Sequence, residues 1–183
     1  MKKWPGFLAF VLSVVSVCTS SADAQRRDFM TDEEIEIVRD AQDIDLRVAV
    51  LVQMIDRRFE AIGVASGGSK LKAKDVEKWG AMRETSKSQA YAEIRAFLQK
   101  AADDIDDIAG RNDISQTQNK MEGKLFPKAV RFLAASGQRF VPLLQAAELA
   151  AESAGDRGNL QTSLELAESI IEAAKKLPAE TKK

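Results

Sequence analysis

The chain has 183 residues, with 27 basic and 28 acidic side chains, no histidine and one cysteine, Cys18. A balance this near neutrality argues against nucleic acid or an anionic membrane as the main partner, since both are held by clustered Lys and Arg. Without histidine there are no Ser-His or Cys-His nucleophile pairs and no imidazole metal ligands, and one cysteine builds neither a disulfide nor a thiolate cage.

The first residues have the order of parts of a secretory signal peptide. Lys2 and Lys3 give a positive start, Phe7 to Val17 is an almost unbroken apolar run, and Ala22-Asp23-Ala24 is a small-x-small cleavage site. The run is too short to span a bilayer. Cleavage is expected after Ala24, so the mature chain begins at Gln25, in the periplasm or outside the cell. Lipid attachment at Cys18 is disfavoured by Val17, which stands where such a site needs a small residue. Losing residues 1–24 removes Lys2, Lys3 and Asp23 and leaves 25 basic and 27 acidic side chains, a net charge of −2. The mature chain then has no cysteine and no segment able to span a membrane. Residues 25–177 read as one helical domain and 178–183 as a disordered tail.

The first predicted helix runs from about Asp32 to Ile62. Thr31 is a natural N-cap with Glu34 at N3, a capping box, and Met30 and Ile35 are placed as its hydrophobic staple. Ile37, Ala41, Ile44, Val48, Leu51, Ile55, Phe59 and Ile62 recur at three- and four-residue steps, with Val38 and Val52 widening the stripe. Gly63 is its expected C′ stop. A loop over 64–69 follows, and Asp75–Trp79 reads as one short turn.

The second long helix is predicted over about Ser86–Ala109, stopped by Gly110, with Ala90, Ile94, Phe97, Leu98, Ala101, Ile105 and Ile108 buried. Residues 111–124 are polar and read as a loop. Pro127 is expected in the first turn of a third helix that continues to about Ser153 and bends at Pro142. Its apolar face is broad enough for two neighbours. Gly155–Gly158 reads as a turn, and Asn159 as the cap of a fourth helix to Leu177, stopped by Pro178. No stretch alternates as a half-buried strand does. The expected fold is all-α: an antiparallel four-helix bundle, up-down-up-down, with its third helix kinked.

Two constellations are candidates for chemistry. Asp103, Asp104, Asp106 and Asp107 crowd the end of the second helix, and their oxygens suit Ca²⁺ or Mg²⁺. No EF-hand loop accompanies them, and a solvated acidic face explains them as well. Arg47 and Arg58 edge the stripe of the first helix and could hold an anion by bidentate hydrogen bonds, or lay their stems on the core and pair with acids of the next helix. Trp79 and Tyr91 could stack on a ligand, although lone aromatics more often pack.

Arg26-Arg27-Asp28-Phe29-Met30-Thr31 followed by Glu33-Glu34-Ile35 resembles exported bacterial helical-bundle proteins that carry no assigned activity. Arg47, Arg58 and Lys70 also resemble the basic set of exported chorismate mutases, but Gly67 and Gly68 interrupt the helix that family keeps continuous to its lysine. The expectation is a non-enzymatic exported bundle that binds another exported protein or the cell envelope, without a cofactor. The alternatives are a small-ligand or divalent-metal bundle, and an enzyme working with Arg, Lys and carboxylates alone.

Overall fold

The computed structural model describes residues 29–71, 73–111 and 122–178, and the side chains within them other than those of 73, 74 and 122–124. The expected signal peptide and cleavage site, with Cys18, lie outside the described residues, as does most of the loop expected over 111–124. Among these residues there are six helices and no strand: α1 (Asp32–Asp40), α2 (Ile44–Ala61), α3 (Ala73–Trp79), α4 (Lys87–Gly110), α5 (Glu122–Leu149) and α6 (Ala154–Lys175). None of them is long and apolar enough to cross a membrane.

The predicted first helix is in fact two. Its start is as expected: the Thr31 hydroxyl accepts from the Glu34 amide and the Glu34 carboxylate accepts from the Thr31 amide. It then breaks at Ala41, whose φ of −78° and ψ of 85° lie near the inverse γ-turn minimum. The Gln42 amide accordingly donates to the Asp40 carbonyl at 3.0 Å. The Ala41 carbonyl, freed from the helix ladder, is taken by Nε of Arg47, also at 3.0 Å. α2 resumes at Ile44 and ends in a Schellman motif: Gly63, with φ of 79°, donates to the Glu60 carbonyl, and Val64 donates to that of Phe59.

Other boundaries shift for local reasons. α4 is capped by Ser86, which accepts from the Gln89 amide. α5 begins at Glu122, so Pro127 sits in its second turn rather than its first. α6 begins at Ala154, not after Asn159. Ser153 caps it by accepting from the Asp156 amide, and Asp156 complements the dipole there. Those two gains carry Gly155 and Gly158 through the first turns. The tail expected from 178 is still engaged at Pro178, whose carbonyl accepts from Arg131.

The four long helices α2, α4, α5 and α6 pack against one another, and named contacts fix their directions. Arg58 of α2 meets Glu93 of α4, whereas Arg47 lines a cavity with Asp104 and Asp107, so α2 and α4 run antiparallel. Asp45 pairs with Lys128 and Asp56 with Arg139, both 83 residues apart, so α2 and α5 run parallel. Gly137 faces Ala167 and Ile171, and Arg131 reaches Pro178, which makes α5 and α6 antiparallel. Ser88 donates to Asp156 at 2.9 Å, joining the starts of α4 and α6. Around the bundle the order is α2, α4, α6, α5. Consecutive helices α4 and α5 face each other only across the diagonal.

The stripes of α2 and α4 are buried as expected through Leu51, Ile55, Phe59, Ile94, Phe97 and Leu98. Leu133, Phe140, Leu144 and Leu160 join them from α5 and α6, while Phe132 of the broad α5 face is left 43% exposed. Phe59 and Phe140 pack with ring centres 5.7 Å apart.

Candidate functional site

Where α1 crosses the ends of α2 and α4, the core contains charge. Glu34 is 0% exposed, Arg58 1%, Glu93 2% and Arg57 4%. The Nη1 of Arg58 donates to Glu34 Oε1 at 2.7 Å and Nη2 to Oε2 at 2.6 Å, a bidentate fork. Nη2 also donates to the Phe29 carbonyl at 2.8 Å, and Nε donates to Glu93. Glu93 Oε1 accepts from Gln89 at 2.9 Å and lies 3.5 Å from Nη1 of Arg83. The Arg58 guanidinium stands 5.2 Å over the Phe97 ring, whose other neighbour is Phe29 in a T-shaped contact.

Arg57 turns the other way. Its Nη2 donates to the Ala81 carbonyl at 3.1 Å and to that of Gly80 at 3.4 Å, and its guanidinium lies 5.5 Å over Trp79. Its Nε is buried without a hydrogen-bond partner, with Glu34 Oε1 3.8 Å away. Two consecutive arginines of α2 thus fasten both small helices: Arg58 holds α1, and Arg57 holds the turn that follows α3.

Electrostatics follow from this arrangement. Burial alone would depress the Arg58 pKa, but the hydrogen bonds and charges of Glu34 and Glu93 outweigh it and leave the pKa raised. For Arg57 burial wins. With the like charge of Arg58 it lowers the pKa against the opposing pull of Glu34, Glu60 and Glu33. A buried pair of this kind adds little net stability over an apolar replacement, whereas removing one partner strands the other. All three side-chain nitrogens of Arg58 are engaged by internal acceptors, so this cluster pins the structure together.

The candidate residues part company. Arg47 holds the break between α1 and α2, and Arg58 lies three helical turns further on, inside the cluster. Lys70 is exposed on the loop after α2. Trp79 is covered by Arg57, and Tyr91 is buried in the core cluster.

The aspartates do not converge. Asp103 accepts from Gln99 at 2.7 Å, Asp104 pairs with Lys100 at 3.1 Å and Asp107 with Arg111 at 3.4 Å, while Asp106 is exposed. Among the described residues no group of three or more such side chains could hold a metal ion. Asp104 and Asp107 share with Arg47 and Arg111 a cavity of about 60 Å³, far smaller than an organic ligand needs.

Glu34, Glu93, Arg57 and Arg83 were not among the expected site residues. Glu93 carried a legible signal, because it lies three residues after Ala90 and four before Phe97, inside the buried stripe of α4. A carboxylate there needs a cation from a neighbour. Glu34 was legible as a cap alone. The chain matches no protein-family model, and no curated protein or solved structure shows significant similarity to it.

Proposed function

We propose that this chain is a non-enzymatic exported bundle that acts by surface interaction with another protein. The observation that carries the reading is a pair of exposed apolar side chains, one on each of the packed helices α2 and α5. Phe132 lies on α5 between the two residues, Lys128 and Arg139, that pair with Asp45 and Asp56 of α2. Phe132 is left 43% exposed there, and Leu46 of α2 is 53% exposed. An aromatic ring bounded by charged pairs resembles the anchor-and-rim anatomy of protein interfaces. The buried charges support the same reading, being spent on internal contacts. We read the scaffold as a bundle whose long helices alternate in direction along the chain but, unlike the expected all-antiparallel arrangement, set α2 beside α5 and α4 beside α6 in parallel, with α5 bent at Pro142, which is exposed.

The test is co-purification from the native source with wild type and Phe132→Asp. A partner held by wild type and lost from the variant at unchanged melting temperature supports the reading. Equal capture by both, or sedimentation of both with isolated envelope, overturns Phe132 as the contact. The alternative of a small-ligand or divalent-metal bundle gains no support from the cavity of Asp104 and Asp107, which is small and shared with the cations Arg47 and Arg111. The mutase form of the enzymatic alternative needs Arg47, Arg58 and Lys70 on one ligand, and these three engage different surroundings.

A further inference from the structure

The residues between α1 and α2 carry two readings at once. The stripe Ile37, Ala41, Ile44, Val48 keeps helical steps straight through the break, and positions 41–43 hold neither Gly nor Pro. Nothing in the sequence forbids one unbroken helix from Asp32 to Ala61. The break is held by the inverse γ-turn at Ala41, by the Arg47 hydrogen bond to the Ala41 carbonyl and by whatever α1 gains from docking. Asp43, the N-cap of α2, makes no capping hydrogen bond with its side chain.

The cleft under α1 is particular about its occupant. It brings Arg58 and Arg83 against Glu93, sets Arg57 within the influence of Glu60, and is completed by the carboxylate that Glu34 inserts. It also takes the Phe29 ring against Phe97 and buries Ile37. If α1 left without replacement, Arg58 would keep Glu93 and lose its bidentate partner. The occupant that restores every contact is another α1.

We propose that α1 is an exchangeable element, and that the cleft of Arg57, Arg58 and Arg83 accepts α1 from a second copy of this chain. Residues 32–61 then form one continuous helix of about 45 Å. The exchanged pair repeats every contact of the single chain except the turn at Ala41, which is why swapping is an inexpensive route to a dimer. The partner is thus identical in chemistry: a capped helix start carrying Phe29, Glu34 and Ile37. This self-association does not depend on Phe132.

The experiment is size-exclusion chromatography with light scattering on the exported chain across a range of concentrations. Arg47→Ala removes the hydrogen bond that holds the turn and is expected to raise the dimer fraction several-fold over wild type. A flexible Gly-Ser insert between Gln42 and Asp43 lets α1 fold back on its own chain and is expected to return the protein to monomer. Asp43→Ala, which favours helix through the hinge, repeats the first arm should Arg47→Ala fail to fold. Dimer isolated by chromatography should persist on dilution, since exchange requires α1 to leave its cleft. Hinge variants that stay monomeric at every concentration, or a dimer unaffected by the insert, would overturn the proposal.

Discussion

Arg58 shows how much one side chain can carry in a bundle without disulfides. Three of its nitrogens join the start of α1, the N3 carboxylate of the capping box and the buried face of α4. Glu34 serves two masters, the Thr31 amide and the Arg58 fork. Thr31→Ala removes only the cap and should cost about 1 kcal/mol. Glu34→Ala also strands a buried guanidinium and should cost about 3–5 kcal/mol. Urea denaturation of the two variants separates the roles; equal shifts would mean that Glu34 acts only as a cap. The capping box was legible in the sequence because its partners lie three residues apart. The fork was not, because the guanidinium arrives from a helix twenty-four residues on, on a side chain whose helical position fits a seam arginine as well as a core one.

At the scale of the element, periodicity located the stripes and misjudged the ends. It ran through Ala41 because a γ-turn needs no special residue, and it stopped short at Gly155 and Gly158 because the Ser153 cap and the Asp156 charge together offset there what the glycines lose. The loop after α2 shows a constraint no pattern displays. A Cβ on Gly68 would stand 2.1 Å from Asp56 Oδ2, and that carboxylate is already paired with Arg139, which also donates to the Ser66 carbonyl. Gly68→Ala should therefore destabilise by about 1–3 kcal/mol, by crowding or by displacing Asp56. Thermal melts decide it, and an unchanged midpoint would show the loop to be looser than its contacts. The end of α4 gives the opposite sign. Asp106 is exposed near a helix C-terminus, so Asp106→Asn should stabilise by a few tenths of a kcal/mol at low salt, a gain that shrinks as salt is added. Calcium at constant ionic strength should leave the wild-type melting temperature unchanged; a rise lost in Asp104→Asn would favour the metal-binding reading.

For the whole molecule, the absence of histidine sets the response to pH. No side chain with an ordinary pKa titrates between about pH 5 and 8, and the buried cations are arginines, so stability should be flat there. Tyr91 bounds the alkaline side. Burial, assisted by the Asp156 charge, raises its pKa above the ordinary value of 10.0. Its contribution is complete below pH 10 and is lost as pH rises through the raised value, so Tyr91→Phe should flatten the alkaline limb of a stability–pH curve. On the acid side, hydrogen bonds from its own backbone amide and Thr31 lower the pKa of Glu33, whose contribution persists until pH falls through that lowered value. The helix count and the apolar faces could be read from the residues. The order around the bundle could not, because a polar connection of some ten residues is long enough to place α5 beside α4 or across from it.

That order has a consequence for the newborn chain. Synthesis runs from the N-terminus, so α2 emerges long before the two residues that complete its ion pairs, Lys128 and Arg139, each 83 positions behind its mate. α1, α2, α3 and α4 can assemble early around Arg58, yet one flank of α2 stays bare until most of the chain has been made. α5 and α6, joined by a tight turn, can pair as soon as they appear and then close over that flank together. Closing the bundle therefore requires the last third of the chain, and until that part is present the first half keeps this flank of α2 uncovered.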